Sequence, residues 1–274
     1  MKNFFEINRA LAAKKIKTIT AILLALACTG CAKKSSQATE ENVDVTKIYN
    51  LVILDRSGSM TPLREVTISG YNEILDVIRL AQQQHYLEQQ NLVSLVLFNH
   101  VITDVFDCDT IQNIPNLLWD NYVPEGATAM YDAIGVSLTK LRNKLDSLQN
   151  ATAVVTIISD GMENYSSTYN LKQVAKLIDS LKKQGVMFVF MGTNQNVAMT
   201  ASSLHIDDYK AFVYTTEGMR DAWEQSMKAS ADYYDRMSQY NKDTRGMTWE
   251  ERHKYFRDRN RENTWFERIN KKNK

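Results

Sequence analysis

The feature that most constrains the fold is a set of three almost continuous apolar runs, spread along the chain rather than clustered. They are "IYNLVIL" at residues 48–54, "AVVTIIS" at 153–159 and "VMFVFMG" at 186–192. A strand with one wet face would alternate apolar and polar residues, and these runs do not. They are typical of strands buried on both faces, as in a parallel sheet between two layers of helices.

Helical patterns separate these runs along the chain. Apolar residues recur at helical spacing in five segments, which are 66–84, 127–145, 171–184, 197–204 and 218–240. Residues 92–99 and 101–107 indicate two strands joined by a tight hairpin at Asn99 and His100, and residues 209–215 indicate a last strand. Strands that alternate with helices predict an α/β fold with a doubly wound, mostly parallel sheet. Helices cover both of its faces, and the hairpin adds one antiparallel edge strand.

The first 46 residues do not follow this pattern. Five basic residues precede the short apolar run "TITAILLALA", and small residues follow it, so residues 1–30 read as an export signal. The ending "ACTGC" resembles the bacterial lipoprotein box, which implies cleavage after Gly30 and lipidation of Cys31. The alternatives are a plain cleaved signal and an uncleaved amino-terminal anchor. Residues 31–46 have no aromatic residue and few apolar ones, so they indicate a flexible linker.

Removal of the signal changes the charge of the chain. The whole sequence has 33 basic and 32 acidic residues, of which five basic and one acidic precede residue 31. The remaining 28 basic and 31 acidic residues give a net charge of about −3, so no nucleic-acid partner is expected. With Cys31 acylated, Cys108 is the one remaining thiol, and no internal disulfide can form.

Small oxygen-bearing side chains stand where the strands end or a helix starts. They are Asp55, Ser57 and Ser59 in "DRSGSM", Thr128 in "PEGATAMYDAI", and Asp160 in "SDGMEN". Ligands of such sheets bind beyond the carboxyl ends of the strands, so these loops are expected to meet. Two carboxylates and three hydroxyls suit a hard cation, above all Mg²⁺, and the set lacks the histidine and cysteine that zinc prefers.

Each element also has an ordinary structural interpretation. Ser57 and Ser59 could be turn or cap residues, Thr128 could be an N-cap, and Asp160-Gly161 is a common turn signal. Taken singly, these interpretations are the better ones. Taken together, in this order and at these junctions, the elements favour a metal site.

Other loop residues bear on the same edge of the sheet. Gly58, Gly126 and Gly161 are expected to let the three loops turn sharply. Asn194 and Gln195 follow the third apolar run and could face the same edge, although the polarity of a loop explains them equally well.

With these residues the sequence resembles the von Willebrand factor type A domain family. The metal-ion-dependent adhesion site of that family has D-x-S-x-S after the first strand, a threonine in a later loop and an aspartate after the fourth strand. All five positions match, namely Asp55, Ser57, Ser59, Thr128 and Asp160. The resemblance implies a domain over residues 47–240, with hydroxyls that bind the cation directly or nearly so and aspartates that often act through water. It also implies Mg²⁺, or Mn²⁺ or Ca²⁺ in its place, and a protein partner whose carboxylate completes the shell.

Residues 241–274 differ in composition from the rest. They contain eleven basic and six acidic residues, interspersed with aromatic ones, and "TWEE" at 248–251 predicts a capping box at the start of a helix. Such a segment could bind nucleic acid, an acidic protein or anionic headgroups. A helical extension that packs its aromatic residues on the domain is favoured, because acidic residues are mixed through the run and an exported protein meets little nucleic acid.

These inferences lead to one main functional hypothesis and two alternatives. The main one is a binding module, not an enzyme, that is lipid-anchored in the bacterial cell envelope and engages a protein through a divalent cation. The first alternative is a metal-dependent hydrolase, which the set does not favour because it includes no nucleophile or general base. The second is a scaffold whose metal site is not essential.

Overall fold

A computed structural model describes residues 45–148, 150–160, 162–193, 197–248, 250–252 and 254–255. Several predictions concern residues outside these ranges. They include the signal peptide, Cys31, the linker up to residue 44, Gly161, Asn194, Gln195 and the whole extension beyond Tyr255.

Six strands form one sheet in the order β3-β2-β1-β4-β5-β6. Their bounds are β1 Thr46–Asp55, β2 Gln89–Phe98, β3 Ile102–Thr110, β4 Ala151–Ser159, β5 Met187–Thr193 and β6 Asp208–Phe212. All neighbours pair in parallel except β2 and β3, which form the antiparallel hairpin at the edge. The predicted fold class is therefore confirmed.

Five α-helices connect or follow the strands. They are α1 Arg64–Gln84, α2 Met130–Leu145, α3 Leu171–Lys183, α4 Val197–Ser203 and α5 Thr216–Asp243. An Asn170–Gln173 capping box starts α3, and Gly185 follows its end with a positive φ of 88°. None of the described helices is long and apolar enough to span a bilayer.

Both faces of the sheet are buried, which explains the continuous apolar runs. In β1, Ile48, Val52 and Leu54 belong to the core under α1 and α5, whereas Leu51 and Ile53 belong to the core under α2, α3 and α4.

The layer under α5 includes one close approach between helices. A Cβ atom added to Gly70 in α1 would lie 2.3 Å from Trp223 Cγ in α5. Because Trp223 is almost fully buried, only glycine at this position lets the two helices pack so closely.

The buried Asn50 interrupts the apolar run of β1. Asn50 donates from Nδ2 to Asn91 Oδ1 at 3.3 Å and accepts at Oδ1 from the Tyr234 hydroxyl at 2.8 Å. Its amide is thus satisfied in the core layer that α5 covers.

The strand order reverses between β1 and β4. The chain runs outwards from β1 to β3 on one side, and from β4 to β6 on the other. At this switch point Leu54 is in register with Ile158, so Asp55 and Ser159 end neighbouring strands at the same edge. A crevice beyond these ends is where α/β sheets of this kind bind ligands.

Candidate metal centre

Asp55 is the most deeply placed residue of the predicted site. It ends β1, is 0% exposed, and accepts hydrogen bonds from the Ser57 backbone N–H at 2.6 Å and from the Ser159 hydroxyl at 2.6 Å. Burial raises the pKa of this carboxyl to about 6, while hydrogen bonds from Ser159 and from the backbone and side chain of Ser57 oppose the rise and the Asp160 charge adds to it. The hydrogen bonds therefore hold the carboxylate in place, but they do not fully offset the cost of burying its negative charge.

Ser57 and Ser59 turn their hydroxyls towards each other. The two Oγ atoms are 3.1 Å apart, and Ser59 Oγ donates to Asp160 Oδ1 at 2.8 Å. A 3₁₀ helix over Gly58–Leu63 carries Ser59 away from the strand, and the Gly58 N–H donates to the Gly126 carbonyl at 3.1 Å. The first and second predicted loops are thus joined through their backbones.

Thr128 lies in the second loop and is almost fully buried. Its N–H donates to Asn164 Oδ1 at 2.9 Å, and its carbonyl accepts from the Asn164 and Tyr165 N–H groups at 3.1 and 3.2 Å. These contacts tie it to the loop that follows Asp160. Among the described residues, no hydrogen bond links the Thr128 hydroxyl to the other four candidate ligands.

The structure corrects two expectations, one about Thr128 in the second loop and one about Gly58 in the first. Helix α2 begins at Met130 after the N-cap Ala129, so Thr128 does not cap it as the alternative interpretation supposed. Gly126 does need its positive φ of 74°, but Gly58 has no such backbone and a Cβ there would meet Gly126 at an ordinary 3.6 Å. The sharp turn is therefore made at Gly126 rather than at Gly58.

Asp160 comes directly after β4 and joins the third loop to the first through Ser59. Burial raises the pKa of this carboxyl, and hydrogen bonds from the Ser59 and Tyr214 side chains oppose the rise. Asp55 and Asp160 are thus two half- to fully buried carboxylates near the same pair of serines. Two negative charges so close together favour a cation between or beside them.

The donor set can be tested against the size of a cation. Adjacent ligands of an octahedral Mg²⁺ ion at about 2.0–2.1 Å lie roughly 2.9 Å apart. The Ser57–Ser59 and Ser59–Asp160 oxygen separations are 3.1 and 2.8 Å. Oxygen atoms so spaced are compatible with adjacent positions around Mg²⁺. No three His, Cys, Asp or Glu side chains come together among the described residues, so any centre here depends on hydroxyl oxygens.

Two acidic residues hold the third loop in place. Asp132, in the first turn of α2, accepts hydrogen bonds from the N–H groups of Ser167, Thr168 and Tyr169 at 2.6–2.9 Å. Glu163 accepts from the Tyr131 N–H at 2.8 Å. The loop between β4 and α3 is therefore anchored on the helix that follows Thr128.

Tyrosines also support the centre, and sequence reasoning missed them. The Tyr122 hydroxyl donates to the Asp55 carbonyl at 2.6 Å. The Tyr214 hydroxyl donates to the Ser59 carbonyl and also contacts the Asp160 carboxylate. No local pattern marks either residue, because each reaches the site from a distant segment.

The last strand is shorter than predicted, because Tyr214 turns towards the candidate centre. Strand β6 ends at Phe212 instead of continuing to Thr215. Tyr214 leaves the sheet to contact Ser59, and the Thr215 hydroxyl accepts from the Gly218 N–H at 3.0 Å to cap α5.

The capping box predicted in the carboxyl-terminal extension is confirmed. The Thr248 N–H donates to Glu251 Oε2 at 2.8 Å, and the Glu251 N–H donates to Thr248 Oγ1 at 3.3 Å. The Tyr255 ring lies 6.0 Å from the Tyr240 ring between centroids, and the remaining aromatic residues of the extension lie outside the described residues.

The sequence matches a known domain family over more than half of its length. The model of the von Willebrand factor type A domain family matches residues 51–226, which is more than half of the chain. No curated protein sequence gives a significant match.

Solved structures share the fold at low sequence identity. The pilus adhesin SpaC from Lactobacillus rhamnosus GG aligns with a TM-score of 0.51 and 12% identity, over 69% of this chain and 31% of that one. A von Willebrand factor type A protein from Catenulispora acidiphila has a TM-score of 0.47 and 13% identity, over 68% and 43% of the two chains. The PilB minor pilin from Streptococcus sanguinis has a TM-score of 0.48 and 12% identity, over 69% and 62%. This chain thus spans less than two thirds of each of these proteins, and the likeness concerns the fold alone.

Proposed function

This chain belongs to the von Willebrand factor type A domain family, and from that membership we propose that it is a lipid-anchored binding module of the cell envelope. In this proposal it engages a protein partner through a divalent cation, with Mg²⁺ as the first choice and Mn²⁺ or Ca²⁺ as substitutes. It acts by binding and not by catalysis.

The observation that carries the proposal is the linkage of three loops through candidate ligands. Asp55 lies behind the serines, Ser59 donates to Asp160, and Gly58 is bonded to the Thr128 loop at Gly126. Ser57, Ser59 and Thr128 would hold the cation through neutral hydroxyls, with the two aspartates balancing its charge. When bound, the cation supplies a Lewis-acid position for an oxygen ligand of the partner.

Electrostatics supports the same assignment. A carboxyl as deeply buried as Asp55 costs stability when it is ionised without a counter-charge, and its raised pKa reflects that cost. Three of the five ligands are neutral, so a bound divalent cation retains its attraction for an acidic side chain. A carboxylate from the partner is therefore the ligand that this centre favours.

The amino end of β1 and the candidate centre lie at opposite edges of the sheet. The described chain enters the sheet at Thr46, at the amino end of β1, while the candidate centre lies beyond Asp55 at the other end. Ten extended residues separate the two ends by roughly 33 Å. Along the chain, the lipid proposed at Cys31 precedes the end of β1 that lies opposite the candidate centre.

Calorimetric titration of the full chain with Mg²⁺ tests the metal site. Asp55→Ala and Ser59→Ala are expected to abolish measurable binding, while Asp76→Ala, at an exposed position of α1, serves as the matched control. Unchanged Mg²⁺ affinity in both site variants would refute the proposal.

Capture of envelope proteins tests the function. Recovery of a protein in Mg²⁺ but not in chelator, and not by Asp55→Ala, is the expected result. Chelator-sensitive turnover of phosphoester or peptide substrates by the purified chain would instead favour the hydrolase alternative.

A further inference from the structure

A narrow cleft lies between helix α2 and the antiparallel edge of the sheet. Its walls come from β1, β2, β3 and α2, and none of the five candidate metal ligands lines it. The free space within it is about 20 Å³, which is enough for a molecule of about two non-hydrogen atoms. The half-buried thiol of Cys108 lies in its wall.

A β-bulge sets the position of Cys108 in this wall. The register of β2 and β3 shifts between Val93 and Leu95, so Asp107 and Cys108 together stand opposite Ser94. Cys108 has a φ of 57°, which is uncommon for a residue with a side chain. Its N–H donates to Ser94 Oγ at 2.9 Å, and its Sγ lies 3.4 Å from the same oxygen. Because that oxygen already accepts from the N–H, its own proton is available to the sulfur.

An unpartnered hydroxyl lies in the same cleft. Ser137, in α2, lines the cleft from the helix side and is only 3% exposed. Among the described residues, its Oγ has no hydrogen-bond partner. Buried hydroxyls are normally paired, because an unpaired one costs stability. Ser137 therefore points to a small polar molecule that enters the cleft beside the thiol.

Two ion pairs between α2 and β3 line the exposed side of the cleft. They join Lys140 to Asp104, and Lys144 to Asp107 at 2.8 Å. Burial lowers the pKa of Lys144, but its contacts with Asp107 and Cys108 raise it by more, so the ammonium group stays charged beside the thiol. A positive charge next to a partly exposed cysteine favours the thiolate, which is the nucleophilic form. Since the four charges are paired with one another, the cleft favours a small uncharged reactant.

From this arrangement we propose that Cys108 is a modification site, which hydrogen peroxide oxidises to a sulfenic acid. The sulfur attacks one oxygen of the peroxide, so an S–O bond forms as the O–O bond breaks. The sulfur loses two electrons and the peroxide gains them. The leaving hydroxide becomes water by taking up a proton, which balances the proton that the thiol loses.

The residues of the cleft have separate parts in this step. Ser94 and Lys144 stabilise the thiolate before the attack, and the Ser137 hydroxyl donates to the leaving oxygen. The inference goes beyond the proposed function, because it requires neither the cation nor a protein partner.

The rate of oxidation at Cys108 in the full chain tests the proposal. The chain is treated with hydrogen peroxide in chelator, quenched with catalase and unfolded in guanidinium chloride with dimedone, which labels sulfenic acids. Mass spectrometry then follows the tryptic peptide 80–140, in which Cys108 is the one cysteine. We expect a second-order rate constant about tenfold above that of a synthetic peptide of residues 103–113, which has the same sequence neighbours and no cleft.

A bulkier oxidant tests the size of the cleft. With tert-butyl hydroperoxide the advantage of the full chain over the synthetic peptide should disappear, because the cleft has room for about two non-hydrogen atoms.

A serine variant and a matched control test the unpartnered hydroxyl. Ser137→Ala should lower the rate constant about fivefold and should not lower the Tm, since the hydroxyl it removes has no partner among the described residues. Ser238→Ala is the control and should leave the rate constant unchanged. Ser238 is 1% exposed and its hydroxyl likewise has no described partner, but it belongs to α5, which covers the other face of the sheet.

Three results would each overturn the proposal. One is a rate constant in the full chain no greater than that of the synthetic peptide. Another is an equal advantage of the full chain with both oxidants. The third is a Ser137→Ala variant that keeps the native rate constant while its Tm falls, because its hydroxyl would then have a structural role. All measurements are made in chelator, so none of these results bears on the proposed metal site.

Discussion

Replacement of Asp55 by asparagine should stabilise the fold in the absence of Mg²⁺ and lose most of that advantage in its presence. Asparagine keeps the shape of the side chain and both of its hydrogen bonds. Its Oδ1 can accept from the Ser57 N–H, and its Nδ2 can donate to Ser159 Oγ once that hydroxyl rotates. What it removes is the charge in a fully buried position.

The magnitude follows from the pKa of Asp55. Burial raises it from 3.8 to about 6, so between these two pH values the folded, metal-free chain binds a proton that the unfolded chain has released. The free energy of unfolding therefore falls as the pH rises through this window, and the full loss is present above about pH 6. A shift of this size corresponds to up to about 3 kcal/mol, which Asp55→Asn recovers because asparagine does not ionise.

Mg²⁺ offsets most of the difference in stability between the two proteins. At a concentration about one hundred times its dissociation constant, a ligand that binds only the folded state adds about 2.7 kcal/mol to the free energy of unfolding. The native chain should gain this amount, whereas Asp55→Asn should gain little because the charge that attracts the cation is gone.

Thermal unfolding of the full chain at pH 8 measures both effects, since each kcal/mol shifts the Tm of a domain this size by roughly 2–4 °C. In chelator the variant should unfold at the higher temperature, and in Mg²⁺ the difference should shrink or change sign. At pH 4, in chelator, the two proteins should be nearly equal. A variant that is less stable than the native chain in chelator at pH 8 would refute the reasoning about the buried charge.

Three further substitutions probe the support of the centre and the core. Tyr214→Phe should weaken Mg²⁺ binding several-fold by calorimetry, because the hydroxyl that contacts Ser59 and Asp160 is lost, and an effect of equal size from Tyr86→Phe would contradict this. Asp132→Ala leaves three backbone N–H groups of the third loop without their acceptor. It should reduce the free energy of unfolding by about 2–3 kcal/mol in urea and speed amide exchange at residues 167–169, so normal protection there would count against the anchoring role. Gly70→Ala should cost about 1–3 kcal/mol through overpacking against Trp223, with Ser69→Ala on the same turn as the control that should stay near zero.

The main elements of the fold were predictable because their signals are local. The runs at 48–54, 153–159 and 186–192 correspond to β1, β4 and β5, whose residues are buried on both faces of the sheet. The hairpin between β2 and β3 was predictable from two apolar stretches flanking a short turn. Boundaries were less accurate where a tertiary contact intervenes, as at β6, which ends early because Tyr214 turns towards Ser59.

Some residues of the candidate centre could be predicted from the sequence, and others could not. Its five residues could be selected from the sequence because each stands at a junction between a buried run and a loop or before a helix. The structure joins Ser57, Ser59 and Asp160 directly, and Thr128 through the backbone of the loops. Asp132, Ser159 and Tyr214 could not have been selected, because their importance depends on partners that are distant in sequence or on which face of the chain is turned inwards.

The sequence by itself determined that strands buried on both faces alternate with helices, and that oxygen ligands follow the strands. These properties depend on the periodicity of neighbouring residues, which the chain carries wherever it lies in space. Only the tertiary structure decided that β1 and β4 are neighbours at the switch point, so that Asp55 contacts Ser57 and Asp160 contacts Ser59, whose hydroxyls face each other. It also decided how deeply Asp55 is buried, because burial and proximity arise only when segments far apart in sequence pack together.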